Sequence, residues 1–446
     1  MKRSYVLCAG LTALAMIFGQ MASAQTTWYV ATNGTGDGSS WLNAIDNIQG
    51  AISKATTEDD TVLVSNGVYE TGGVTNWPNG TALTNRVAIT NVITVRSANN
   101  EPTNTIIKGA KDNGTNGPSS VRCVHMVTNS SLIGFTLTNG ATLLINQPTS
   151  GTNDNHYGGG VCSPSTNTII SNCVIAGNIA ANSGGGAYYG TLRNCTLSTN
   201  QVLAISGQQG WGGGACKSIL FNCLLNKNIG RTPGTCYGGA AQGCTLYDCT
   251  LSGGYASYGG GAYNSTMYNC AIISNSVAGG NGAGVRIGYL YNCLLMGNSG
   301  AGSGGGAYQT RLYNCTVVGN SASYGGGFCG ASLGDMNNCI VYFNTASTEG
   351  SNWYAIKTFT NSCTAPAATN GVGNITADPM FVDMNAANYR LSAVSPCIDT
   401  GINDSWTTDP ADVRSKDLDV KARRRYGGVD MGAYEHIHAG TICVVR

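Results

Sequence analysis

The chain has 446 residues, with 23 Lys and Arg against 22 Asp and Glu, a net charge of +1 and only 10% charged residues. A near-zero charge with no basic face excludes nucleic acid as the natural partner, and 64 glycines put the composition far from globular averages. No run after the N-terminus approaches the roughly 18 apolar residues of a membrane span, so no transmembrane segment is expected.

Residues 1–24 read as a secretory signal. Lys2 and Arg3 precede an apolar run from Tyr5 to Phe18, and Ala22-Ser23-Ala24 offers the small residues of a cleavage site. The product is therefore expected to be secreted or held at the cell surface. Residues 25–157 read as an N-terminal cap followed by irregular early rungs. Ser40 is placed to N-cap a helix from Trp41 to about Thr56, with Leu42, Ile45, Ile48, Ile52 and Ala55 forming an apolar stripe. Strands follow at Thr61 to Val64 and Val68-Tyr69, then at Val92 to Val95 and Thr105 to Ile107.

Residues 158–345 carry eight copies of a unit close to Gly-Gly-Gly-Ala-Tyr-x-x-x-Leu-Tyr-Asn-Cys-Thr-Leu-x-x-Asn. The triplet-to-cysteine interval is nine residues in six of the eight copies, which marks the rigid part of a rung, while length varies before the next triplet. Units this short bury no core alone, so they must stack as a solenoid. Apolar residues three before and two after each cysteine imply two short inward-facing strands joined at a corner. That corner carries Asn172, Asn194, Asn222, Asp248, Asn269, Asn292, Asn314 and Asn338. Asparagine tolerates the required turn, and an amide ladder between rungs is expected there. A parallel β-helix is the architecture these features predict.

The cysteines at 173, 195, 223, 249, 270, 293, 315 and 339 share one register. They read as a ladder of buried thiols, although rungs ~4.8 Å apart lie within disulfide reach. The four histidines, at 125, 156, 436 and 438, fit no zinc spacing, so no metal site is predicted.

Residues 346–446 read as the last rungs and a C-terminal cap or anchoring segment. Trp28-Tyr29-Val30 through Gly38-Ser39-Ser40-Trp41 and Asp60-Thr61-Val62-Leu63-Val64, with Tyr389-Arg390-Leu391, Ser395-Pro396-Cys397-Ile398-Asp399-Thr400-Gly401 and Met431-Gly432-Ala433-Tyr434-Glu435, resemble exported proteins of the pectin-lyase-like superfamily. The closing stretch is similar to that of choice-of-anchor Q domain proteins. The resemblance implies an all-β, right-handed parallel β-helix with an N-terminal helix cap. It does not choose among lyases, glycosidases and adhesins.

Glycosidic hydrolysis needs two carboxylates, and lyase chemistry needs a base with a means of neutralising a uronate. Nine acids precede Gly158 and ten lie between Asp378 and Glu435, but only Asp248 and Asp335 fall within the eight repeats. No catalytic set is assigned. Arg286, Asp335 and His156 are the weak candidates, with Asp154 and Glu349 as groups that a groove would have to gather. Arg286 stands between Tyr263 and Tyr308 of adjacent copies. Two aromatic columns are candidate ligand contacts: Tyr247, Tyr268, Tyr291 and Tyr313 on successive rungs, and Trp211, Tyr237, Tyr258 and Tyr324 ahead of the triplets. No cofactor is predicted, and calcium is the one ion that the acid-rich ends leave open. The composite reading is an exported, adhesin-like or glycan-contacting protein without catalysis, whose partner is a polysaccharide or cell-surface glycan. The alternative is a polysaccharide lyase or glycoside hydrolase.

Overall fold

A computed structural model describes residues 25–144, 154–231, 233–331, 333–356, 358–368, 371–403, 412–423 and 428–437. Residues 1–24, where a secretory signal is expected, lie outside them. The chain winds into a parallel β-helix whose coils stack three sheets of 21, 12 and 8 strands. The strand pairings between successive coils are parallel, and the register holds from coil to coil, as in Leu246↔Met267↔Leu290↔Leu312, with one shift where Ser321–Tyr324 meets Thr345–Glu349.

Each coil begins on the 21-stranded sheet, turns at the corner asparagine and continues on the 12-stranded sheet. The corner residues are left-handed, with φ of 53° at Asn194 and Asn269, which explains asparagine in this place. Leu192, Leu220, Leu246, Leu290 and Leu312 on one strand, and Leu197, Leu225, Leu251, Leu295 and Val317 on the next, are fully buried and fill the coil's interior. Each such side chain contributes ~1.5–3 kcal/mol of hydrophobic stabilisation.

The segment before the glycine triplet is not all loop. It contains a third strand in most coils, from Ile179–Ala180 to Thr345–Glu349, forming the 8-stranded sheet. Most of these strands have only two or three residues, too few to show an alternation in the sequence. The triplet then closes the coil. At its first position Gly259 has φ +63°, and at its second a Cβ on Gly260 would stand 2.2 Å from the Ser276 carbonyl oxygen of the next coil.

Two asparagine ladders run along the helix. The corner ladder is partial, with Asn222 Nδ2 donating to Asn194 Oδ1 at 2.8 Å and Asn292 Nδ2 to Asn269 Oδ1 at 3.1 Å. The stronger ladder is five residues past the cysteine in seven of the eight copies, with Gly254 in the eighth. Asn275 Nδ2 donates to Asn298 Oδ1, Asn298 Nδ2 to Asn320 Oδ1 and Asn320 Nδ2 to Asn344 Oδ1, each at 2.9 Å and fully or nearly fully buried.

The 16 described cysteines are buried free thiols. Their chemistry explains their place beside the corner. Cys270 Sγ lies 3.2 Å from the Tyr268 carbonyl oxygen and donates to it, while the sulfur of Cys293 accepts the Cys270 N–H at 3.4 Å. Ser362 Oγ performs the same acceptance for Cys339 N at 2.9 Å, so the position selects a small polar group.

The N-terminal helix is Ile48–Lys54, capped by Asn47 rather than Ser40. Gly50 N donates to Asn47 Oδ1 at 2.6 Å, and the stretch before it forms a turn in which Leu42 is 98% exposed. Ile48, Ala51 and Ile52 still cover the first coil. The C-terminal segment also differs from a simple end cap, because it folds back along the flank of the 12-stranded sheet. Gly432 N donates to Asn338 O at 2.7 Å, Ala433 N to Thr316 Oγ1 at 2.9 Å and Asn292 Nδ2 to Lys416 O at 2.6 Å. Leu294, Thr316 and Ile340 are buried beneath it, whereas Leu224 in the same column is exposed where the segment is absent.

Candidate functional site

The register of the 21-stranded sheet lines up one outward column beside the glycine turns. It runs His125, Cys162, Tyr188, Cys216, Gln242, Tyr263, Arg286, Tyr308, Cys329 and Tyr354, one residue per coil. At ~4.8 Å per coil, His125 and Arg286 are ~29 Å apart along the axis. These two residues are the chemically distinctive positions of the column.

Around Arg286 the rings form a box. Its guanidinium carbon lies 4.3 Å from the Tyr258 ring centre, 5.7 Å from Tyr263 and 5.8 Å from Tyr308. The Tyr263 and Tyr308 neighbours are those the repeat predicts, and Tyr258 is the closest of the three. Tyr237 stacks on Trp211 at 4.6 Å and on Tyr258 at 5.5 Å, and Tyr263 tilts against Tyr237 at 4.8 Å. Trp211, Tyr237, Tyr258, Tyr263 and Arg286 thus make one continuous platform. The Arg286 Nε is buried without a hydrogen-bond partner, and among the described residues Arg286 forms no ion pair. Next to the platform, Tyr157, Tyr188, Trp211, Lys217 and Gln242 line a recess of about 320 Å³.

The second aromatic column is arranged differently. Phe221, Tyr247, Tyr268, Tyr291 and Tyr313 stack face to face at 4.8–5.1 Å with interplanar angles of 6–8°, and Arg193 covers the end ring at 4.3 Å. Their faces are occupied by one another. Tyr324 lies apart from the platform and meets Tyr354 at 5.3 Å.

At the other end of the column, the strand Val121–Met126 points Val124 and Met126 into the core and His125 outward. A short turn at Asp154–His156 brings Asp154 over it, with 3.4 Å between His125 Nε2 and Asp154 Oδ2. The turn is pinned from both sides. Asn155 Oδ1 accepts the N–H groups of Ala82 and Leu83 at 2.9 and 3.0 Å. Arg122, 1% exposed, donates to the carbonyls of Asp154, Tyr157 and Gly158 and to Asn85 Oδ1. The Sγ of Cys162, the in-register neighbour of His125, lies within 4.8 Å of both the imidazole and the carboxylate. A cleft of about 760 Å³ opens beside the pair, bordered by Glu58, Trp77, Pro78, Thr128 and Pro164.

Burial lowers the His125 pKa, only partly opposed by Asp154, so the imidazole is held neutral. The hydrogen bond from His125 holds the Asp154 carboxyl below its ordinary value. Burial pushes the Cys162 thiol up to about 12.

The other candidates do not converge on either end. Asp335 pairs with Arg311 at 3.5 Å on the surface. His156 Nδ1 donates to the Leu143 carbonyl oxygen at 3.1 Å, and burial lowers its pKa. The histidine in the cleft is His125, which sequence spacing discards because its partners are distant in the chain. Only the register of an irregular coil brings them together.

No protein-family model matches the chain, and no curated protein matches it. Solved structures similar to it include the pectate lyase Pel9A, at 14% identity and TM-score 0.49 over 94% of this chain and 98% of that one. A rhamnogalacturonan lyase aligns at 10% identity and TM-score 0.43 over 83% and 95%. XylC, solved in complex with xylose, aligns at 11% and 0.42 over 92% and 98%. The likeness is one of fold.

Proposed function

We propose that the protein is an exported, non-catalytic glycan-contacting rod that holds an extended acidic polysaccharide against the platform of Trp211, Tyr237, Tyr258, Tyr263 and Arg286. The observation that carries this reading is Arg286, a cation set among three rings with a buried, unpartnered Nε and no counter-charge among the described residues. Aromatic rings supply flat apolar contact to sugar rings, and a guanidinium pairs with a carboxylate through a two-pronged hydrogen bond. Export through the N-terminal segment and display at the cell surface belong to the same reading. The test is pull-down of the purified protein with a panel of acidic and neutral polysaccharides. Retention by acidic polymers alone is expected, and retention by none would overturn the proposal.

A second reading, cleavage of the bound polymer, is favoured by one observation: the His125–Asp154 pair beside the cleft. A neutral, carboxylate-supported imidazole is a competent proton acceptor. Incubation with the same panel, followed by new reducing ends and by absorbance from unsaturated uronates, tests it directly. Product formation supports cleavage, and its absence with a polymer that binds removes that reading.

A further inference from the structure

We propose that His125, Asp154 and Cys162 form a binding site for a borderline-soft divalent metal ion of the zinc class. The proposal stands on the geometry of these side chains and is independent of the glycan reading. One nitrogen, one carboxylate oxygen and one sulfur converge within 4.8 Å of one another, from two adjacent coils and a pinned turn. Such an N, O, S donor set suits zinc and excludes calcium and magnesium, which take oxygen ligands.

Three features separate this cluster from a chance meeting. The 3.4 Å between His125 Nε2 and Asp154 Oδ2 is long for a strong polar contact. Charge-assisted hydrogen bonds are ~2.7–2.9 Å, whereas two ligand atoms at ~2.0–2.1 Å from a tetrahedral ion stand ~3.3 Å apart. Second, His125 is 3% exposed, and Asp154 is the one hydrogen-bond partner of its ring among the described residues, so no other group competes for the imidazole. Third, the buried Arg122 donates only to carbonyl and amide oxygens and not to the Asp154 carboxylate.

Charge is balanced in the bound state. The ion displaces the thiol proton of Cys162 to solvent, so that sulfur and carboxylate contribute two negative charges against the two positive charges of the ion. Three protein ligands leave a fourth position for water.

The test uses the mature chain, freed of metal with a chelator under a phosphine reductant and titrated with Co²⁺. One equivalent is expected to bind, with visible d–d absorption, a thiolate charge-transfer band and release of one proton, all reversed by added Zn²⁺. Cys162→Ser should lose the charge-transfer band, and His125→Ala and Asp154→Asn should each weaken binding at least ~10-fold, while Cys216→Ser leaves the titration unchanged. Circular dichroism of each variant checks folding. If a substitution unfolds the chain, X-ray absorption of the zinc-loaded wild type decides instead, with one zinc–sulfur distance of ~2.3 Å expected and the lack of any sulfur ligand overturning the proposal. Failure of the folded wild type to bind either ion, or an unchanged band in folded Cys162→Ser, would overturn the proposal.

Discussion

Arg423 and Glu435 form an ion pair of 2.8 Å with side chains 0% and 2% exposed, and Arg423 also donates to Asn292 Oδ1 at 3.0 Å. One guanidinium thereby joins the C-terminal segment to the corner ladder of the coils. Removing Arg423 takes a donor from three buried oxygens, Asn292 Oδ1, Glu435 Oε1 and Asn314 O, and each buried polar group left unpaired costs ~1–3 kcal/mol. Arg423→Ala is therefore expected to release the segment, measured as a lower denaturation midpoint and as early proteolytic loss of the C-terminal residues.

Glu435 sits among Asp417 and Asp430 as well as Arg423, all buried. Burial raises its pKa from 4.5 to about 8, with Asp430 adding to the shift and Arg423 opposing it. The folded state then binds more protons than the unfolded state between those values, so this group's contribution is complete below pH 4.5 and is lost as pH rises through about 8. The expected result is a stability that declines across that window and a decline removed by Glu435→Gln, both read from denaturant midpoints against pH. An unchanged slope in the variant would show that another group is responsible.

Asn298 makes four ladder contacts, accepting from Asn275 N and Nδ2 and donating to Ile272 O and Asn320 Oδ1, all at 2.9 Å. Asn298→Leu leaves several buried polar groups unpaired and should destabilise by ~3 kcal/mol or more. By contrast, Asn222 lies at an exposed corner with φ +50°, which glycine also adopts. Asn222→Gly should cost no more than ~1 kcal/mol. Equal losses in chemical denaturation would refute the ranking of the two ladders.

The thiol ladder gives a chemical prediction. Cys270→Ser preserves a small group that accepts and donates, and should cost less than ~1 kcal/mol. Cys270→Val keeps the volume but removes the thiol donor from the Tyr268 carbonyl, which keeps its bond from Asp248 N, and places a methyl beside the Cys293 sulfur, so a loss of ~1 kcal/mol beyond that of serine is expected. In the folded wild type, a thiol reagent should label none of the 16 described cysteines, and all of them after unfolding.

Much of this architecture was legible in the chain. The apolar columns, the corner asparagines and the cysteine register all repeat, so stacking follows from counting. The third sheet was not legible, because strands such as Ile179–Ala180 are too short to carry an alternation. The strong ladder of Asn275, Asn298 and Asn320 was visible only as a recurring residue. Its burial depends on where the coil turns. Of the candidate site, Arg286 and its ring neighbours follow from the repeat, whereas His125, Asp154 and Cys162 lie in or beside irregular coils whose register no period reveals. The helix boundary moved because the Gly34 to Gly38 turn folds against Asn43 to Ile45, holding that stretch out of a helix.

The most direct measurement of the central claim is the affinity of the protein for an acidic polysaccharide before and after single substitutions on the two aromatic columns. Arg286→Ala should weaken binding by about 2 kcal/mol, roughly 30-fold, and Trp211→Ala should weaken it as well. Tyr268→Ala, in the self-stacked column, should leave it within about twofold. Binding unchanged by Arg286→Ala, or equally tight to a neutral polymer, would contradict the account.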